Sequence, residues 1–260
     1  REGRIVLNFL GDTVTLTRRN LMRIRRTPQL LFFSSVQPVM FLLLFNFVFG
    51  GAVQRPGIDN SAYIIFLLPG ILAQTALFGS IQTGVGMAQD ISKGVVDRLS
   101  SLPISRGAIV AGRTLADAAR NVLVVSIMIG VGTLLGFRFT EGWLAAFGAI
   151  GLAILFGFAF SWISLTFGLA VKDPETAQVA GFLWTFPIVF ASSVFVPVET
   201  MPTWLQYFSK YQPLTQAVDA MRHLTTGGGS PEAVLRTMLW VVAIVAIFAP
   251  ISARLFRRAN

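Results

Sequence analysis

The sequence predicts an all-α membrane protein with six membrane-spanning helices, and three observations point to it. Six stretches, residues 27–54, 60–89, 121–137, 142–171, 176–198 and 237–253, hold no Asp, Glu, Lys, Arg or His over 28, 30, 17, 30, 23 and 17 residues. At 1.5 Å per residue, about 20 apolar residues carry a helix across roughly 30 Å of hydrocarbon. The composition is 54% apolar and only 13% charged, with 23 Phe. Soluble domains carry about 25% charged residues, and a single water-soluble core cannot absorb this much apolar surface. Lys and Arg, finally, fall unevenly among the connections, 16 on one side of a six-span arrangement and five on the other.

Basic loops are retained on the cytoplasmic side, so both termini are expected there. Seven arginines precede the first span. Lys93, Arg98, Arg106, Arg113 and Arg120 separate the second and third, Lys172 separates the fourth and fifth, and Arg254, Arg257 and Arg258 follow the sixth. The other side holds Arg55, Arg138, Lys210, Arg222 and Arg236. Acidic residues divide seven to five, which puts the whole net charge of +9 on the cytoplasmic face. Membrane lipids with anionic headgroups account for that excess, and no nucleic-acid partner is expected.

Residues 1–28 read as a cytoplasmic interfacial helix. Leu7, Leu10, Val14, Leu21 and Ile24 recur near helical spacing, and Arg18, Arg19, Arg23, Arg25 and Arg26 supply a polar face able to snorkel. The transmembrane domain follows over 29–260, with spans at about 30–50, 61–86, 115–136, 143–170, 178–197 and 234–253. The two shortest stretches lengthen through Leu115 to Ala119 and Ala233 to Leu235. The first apolar run, from near Leu30, is too long for a signal h-region, so no cleavable signal is expected. Gly132 and Gly136 in the third span, and Ala153, Gly157 and Ser161 in the fourth, have the spacing of helix-packing seams.

Several chemistries are excluded. Cysteine is absent, which removes disulfides, thiolates and cysteine metal sites, and the single His223, expected as an interfacial polar group beside Arg222 at the outer surface, cannot build a metal cluster. The span interiors are read as holding amides and hydroxyls alone, which disfavours ion-coupled carriers and voltage sensors. Gln37, Asn46, Gln74, Gln82, Trp184 and Ser192 are the candidates for a substrate path. No G-x-x-x-x-G-K-[ST] phosphate loop occurs. The chain is therefore expected to be no enzyme and to hold no cofactor, and energy must enter from another polypeptide.

Only one inside connection, residues 87–114, is large enough to receive such a partner. Ile91, Val95, Leu99 and Leu102 recur at helical spacing beside the charged Lys93, Asp97 and Arg98, and Pro103 stops the pattern. This reads as one short amphipathic lever suited to a partner's groove. Between the last two spans, residues 198–226, Pro197, Pro202 and Pro213 interrupt a helix, while Trp204, Tyr207, Phe208 and Tyr211 suit a membrane interface.

Gly94-Val-Val-Asp97-Arg98-Leu-Ser-Ser-Leu-Pro103-Ile-Ser-Arg106, followed by Ala111-Gly-Arg-Thr-Leu-Ala-Asp117, resembles the cytoplasmic loop of the ABC-2 type permeases, specifically the daunorubicin-resistance group. Phe195-Val-Pro197-Val-Glu199-Thr-Met-Pro202-Thr-Trp204, then Gln212-Pro213 onward to Arg222, is similar to that family's segment between its last two spans. The two blocks occur in order and the resemblance covers nearly the whole chain. It implies a cytoplasmic coupling helix with Asp90, Lys93, Gly94, Asp97, Arg98, Leu99, Pro103 and Arg106 in the ATPase-coupling role. It also implies extracellular re-entrant helices carrying Pro197, Glu199, Pro202, Trp204, Pro213 and Arg222.

The implied function is the permease subunit of an ATP-driven exporter in the plasma membrane (bacterial inner membrane). Its implied partners are two copies of a separate ATP-binding subunit, which would hold ATP and Mg, and a second permease chain, identical or homologous. Uncharged spans rich in Phe, Leu and Gln suit a hydrophobic or amphiphilic drug, antibiotic or lipid. Lipid-linked polysaccharide export, and a non-transporting scaffold or sensor that recruits an ATPase, stand as alternatives.

Overall fold

The computed structural model describes residues 2–26, 28–49, 61–101 and 104–259, and among these every regular element is helical. In order these are α1 (Glu2–Arg26), α2 (Pro28–Leu44, continued by a π-helical turn Phe45–Phe49), α3 (Ser61–Ser92), α4 (Val95–Ser100), α5 (Arg106–Leu134) and α6 (Gly142–Val171). After them come α7 (Pro174–Phe190), a 3₁₀ turn (Val198–Thr200), α8 (Thr203–Tyr211), α9 (Pro213–Thr226) and α10 (Pro231–Ala259). Four helices are long and apolar enough to cross a membrane, over Tyr63–Ser92, Gly107–Leu134, Gly142–Val171 and Pro231–Phe256. α2 and α7 are shorter, at 17 residues each.

α3 is the axis of the bundle, with α5, α6, α7 and α9 all packed on it. A helix that is apolar on every side must be buried on every side, and Ile64, Leu67, Leu68, Ile71 and Leu77 are accordingly sealed. Close approach depends on absent side chains. A Cβ on Gly84 would collide with the Ser164 carbonyl, and one on Gly168 with the Gly84 carbonyl. The Ser80 and Ser164 hydroxyls meet at 3.2 Å beside that crossing. The α5 and α6 seams read from sequence hold at Gly132, against Leu68, and at Gly157, against Ala76. Gly136 is different: at φ +101 with open space around it, it belongs to the turn after α5 and seals no interface.

α1 lies along α5. Leu16 and Thr13 are buried against Gly112, where a Cβ would meet the Leu16 Cβ at 2.8 Å, and Asp12 Oδ2 accepts from the Ser105 amide (3.0 Å) just before α5 begins. Leu10 and Val14 point away from the protein, 54% and 67% exposed. At the start of α7, Asp173 caps the helix by accepting from the Thr176 amide and hydroxyl (2.8 and 2.6 Å), with Pro174 at the first helical position. Those bonds hold the Asp173 carboxyl below the usual carboxylate range.

Three boundaries differ from the sequence reading. α3 runs to Ser92 and α5 starts at Arg106, so the 87–114 connection narrows to residues 93–105. The single lever over Ile91 to Leu102 is cut at Lys93–Gly94, because Gly94 adopts φ +64 and reverses the chain before α4. α7 stops at Phe190, with Pro187 already inside it, and the chain then turns rather than continuing to 197.

Candidate functional sites: the α3–α5 loop, an interior polar cavity and a buried arginine

α4 holds to the bundle through one face. Val96 is buried in a cluster with Leu16, Met87 and Ile109, and Ile91 and Leu99 pack against that cluster. Lys93, Asp97 and Arg98 point outward and are exposed. Arg106 is the first residue of α5, and Pro103 lies outside the described residues. Asp90 differs from its charged neighbours, since it is only 7% exposed and its Oδ2 accepts from Arg113 Nη1 at 2.6 Å. Its carboxylate ties α3 to α5 and is not part of the outward face.

Arg113 begins a line of charge on one side of α5. Arg113 Nε lies 3.7 Å from Asp117 Oδ2, and Arg120 Nη2 lies 3.9 Å from Asp117 Oδ1. Arg120 Nη2 also donates to the Gly79 carbonyl at 2.8 Å. Gly79 sits roughly 20 Å along α3 from its Ser92 end. This corrects the sequence reading that only amides and hydroxyls occupy the helix interiors. Charges at i, i+4 and i+7 of one continuous helix share a face, and that periodicity at 113, 117 and 120 was the available signal.

Arg120 borders a cavity of about 90 Å³ between α2, α3 and α5. Three of the six candidate path residues line it: Gln37 from α2, and Gln74 and Gln82 from α3. Thr75 and Asn121 add polar wall, and Phe41, Ile71 and Phe78 add apolar wall. Gln37 and Gln82 are exposed at its rim, whereas Gln74 and Thr75 are buried. Asn46, Trp184 and Ser192 do not join this lining. Asn46 lies in the π turn, the Trp184 ring is 5.8 Å from the Phe160 ring in a stacked arrangement, and the Ser192 hydroxyl donates to the Val189 carbonyl at 2.5 Å.

At the far end, the residues assigned to the re-entrant segment separate into two groups. Pro197, Glu199, Pro202 and Trp204 are exposed, with Pro202 leading into α8. Pro213 opens α9, which is largely buried against α3, α6 and α10. Arg222, expected at the surface, is 7% exposed. Its Nε donates to the Phe66 carbonyl (3.2 Å), Nη2 to the Ser193 carbonyl (2.7 Å) and Nη1 to Asp219 (3.3 Å), with the guanidinium 3.6 Å over the Phe66 ring. Burial pulls the Arg222 guanidinium down to about 10, against the opposing pull of Asp219, and burial raises the Asp219 carboxyl although Arg222 opposes it.

One side chain thus joins α3, the turn after α7 and α9. Removing one member of such a buried set costs about 3 kcal/mol or more. Arg222→Met is expected to lower the thermal unfolding midpoint markedly, while Trp204→Ala leaves it in place. Circular dichroism of the purified variants checks both.

Among the described residues no group of three or more His, Cys, Asp or Glu could hold a metal ion. The profile of the family described as ABC-2 type transporter matches residues 12–225. The chain is 35% identical over 251 residues to the daunorubicin resistance ABC transporter permease protein DrrB1 of Streptomyces coeruleorubidus, covering 96% of this chain and 88% of that one. It is 29% identical over 253 residues, 97% and 90% of the two chains, to a protein of Mycobacterium tuberculosis described as a probable doxorubicin resistance ABC transporter permease protein DrrC. It is 26% identical over 177 residues to ABC transporter G family member 20 of Dictyostelium discoideum, 66% of this chain and 23% of that one.

Proposed function

Since this chain belongs to the ABC-2 type transporter family, we propose that it is the membrane-spanning permease subunit of an ATP-driven exporter that moves a hydrophobic or amphiphilic compound outward. A separate ATP-binding subunit, supplying ATP and Mg chemistry that this chain does not encode as a phosphate loop, docks on the α3–α5 connection. The observation that carries the reading is the form of that connection. Val96 and Leu99 hold α4 to the ends of α3 and α5 while Lys93, Asp97 and Arg98 face outward. A push on α4 is delivered to α3 directly and to α5 through the shared cluster, and these are two of the three helices that enclose the polar cavity.

In this reading α2 and α7 also cross, giving six spans. α2 with its five-residue π turn reaches roughly 33 Å, and α7 roughly 26 Å. Both termini face the cytoplasm of a bacterial inner membrane. The apolar Leu10 and Val14 side of α1 rests on the inner leaflet, and α8 and α9 close the outer side as re-entrant helices. Two permease chains, identical or homologous, assemble with two ATP-binding subunits.

Reconstitution in vesicles with the ATP-binding subunit tests the proposal. Daunorubicin or a fluorescent phospholipid is expected to move only when ATP and both subunits are present. Absence of ATP-dependent movement for every drug and lipid tried would reject it.

A further inference from the structure

We infer that the cavity bounded by Gln74, Thr75 and Arg120 is a recognition site for the polar end of an amphiphile, one that presents a carbonyl or ionised oxygen, with Arg120 as its specificity-determining donor. The inference rests on the exporter reading for its biological meaning, and on the cavity's own geometry for its chemistry. Three polar atoms at this wall lack a partner within the described chain: Gln74 Oε1, Thr75 Oγ1 and Arg120 Nε, each sealed from bulk solvent. Leaving a buried polar atom unsatisfied is costly, so such atoms have partners from outside the chain, either water or ligand. A volume of about 90 Å³ is several times the roughly 10–15 Å³ that one water requires on this measure, so the cavity has room for several waters. It equally accommodates an oxygen-bearing group in their place.

The donor set selects the ligand. Arginine Nε only donates, a threonine hydroxyl donates or accepts, and a glutamine amide offers either character. Asp90 is committed to Arg113 at 2.6 Å, and Asp117 is shared between two arginines at 3.7 and 3.9 Å. The two arginines and two carboxylates balance in charge, so what Arg120 lacks on its cavity side is an acceptor for Nε, which a ligand oxygen supplies. Phe41, Ile71 and Phe78 on the same wall suit an apolar body, with Gln37 and Gln82 exposed at the rim. Arg113, Asp117 and Arg120 continue along α5 to its beginning at Arg106, so occupancy is felt at the helix that α4 would move.

Drug quinone oxygens and lipid phosphates share this chemistry, and two probes separate them. The permease complex in detergent is titrated with a fluorescent hydroxyanthraquinone and with a fluorescent anionic phospholipid, using oxygen-free tetraphenylphosphonium as the reference for non-specific partitioning. Gln74→Leu gives up no hydrogen bond to the described residues and so keeps the fold. It is expected to weaken Kd about tenfold for the recognised probe. Arg120→Lys, which keeps the charge and loses Nε, weakens it at least as much. A shift for one probe only assigns the source; a shift for both assigns the shared oxygen. Kd unchanged for both probes in both variants, or no saturable binding to the wild type, overturns the site. Transport of either probe with unchanged Kd removes this inference and leaves the exporter reading. Variant-sensitive binding without ATP-dependent transport does the reverse.

Discussion

Gly168→Leu is expected to leave almost no folded protein in the membrane, and Gly84→Leu to match it. At this crossing the atom that a Cβ would strike is a backbone carbonyl of the facing helix, Gly84 for one substitution and Ser164 for the other. No rotamer relieves such a contact, so α3 and α6 must separate along their most extensive interface. Overpacking alone costs about 1–3 kcal/mol, and separation adds the loss of the Ser80–Ser164 contact and of dispersion contacts along the seam. In a bilayer those dispersion contacts are the main association force, because hydrocarbon solvates apolar side chains as well as a neighbouring helix does. Gly151→Leu is the control, with nothing within 4 Å of its Cβ position, and is expected to accumulate normally. Size-exclusion profiles of fluorescently tagged variants distinguish the three. A normal profile for Gly168→Leu would show that the crossing is not the seam holding the bundle.

The helical skeleton was legible because it depends on one-dimensional information. Among the described residues each charge-free run overlaps a helix, although the run 176–198 outlasts α7, and the positions of Asp173 with Pro174, and of Gly227 at φ +69 after α9, punctuate the chain by rules that act over four or five residues. The break at Gly94 was less legible. Ile91, Val95 and Leu99 keep helical phase on both sides of the interruption, so periodicity alone reads through it.

Interior charge was hidden for a different reason. Counting basic residues per connection assigns Arg113 and Arg120 to a loop, yet Asp90 neutralises Arg113 from 23 positions away and the Gly79 carbonyl receives Arg120 from 41 positions away. The same holds for Arg222, whose acceptors at Phe66 and Ser193 are 156 and 29 positions distant. A buried ionic group is recognised by its partners, and these partners become neighbours only after α3, α5, α7 and α9 have packed. Gln37, Gln74 and Gln82 were singled out as isolated amides in apolar runs. That they border one cavity follows from helix rotation, which the linear spacing does not specify across different helices.

Arg98→Glu is expected to leave expression, helix content and thermal stability unchanged while lowering export by about tenfold or more. The first half follows from exposure: Arg98 points outward from α4, and no carboxylate among the described residues pairs with it. Surface changes of that kind usually fall within about ±0.5 kcal/mol. The second half follows from the docking proposal. Truncating one member of a charge pair desolvated at an interface costs about 2–5 kcal/mol, and placing like charges together costs more. ATP hydrolysis by the partner is expected to continue, because its active site is elsewhere, so the ratio of substrate exported to ATP consumed is the sensitive measure. Gly94→Ala supplies an independent arm. It adds no contact, since the space around Gly94 is open, but it opposes the φ of +64 that turns the chain into α4. It should therefore weaken coupling less than Arg98→Glu, and Gly94→Asn less again, because asparagine tolerates the left-handed region. Full export at normal ATP cost in Arg98→Glu would remove α4 from the coupling path, whereas loss of folded protein in that variant would mean the side chain serves the bundle rather than a partner.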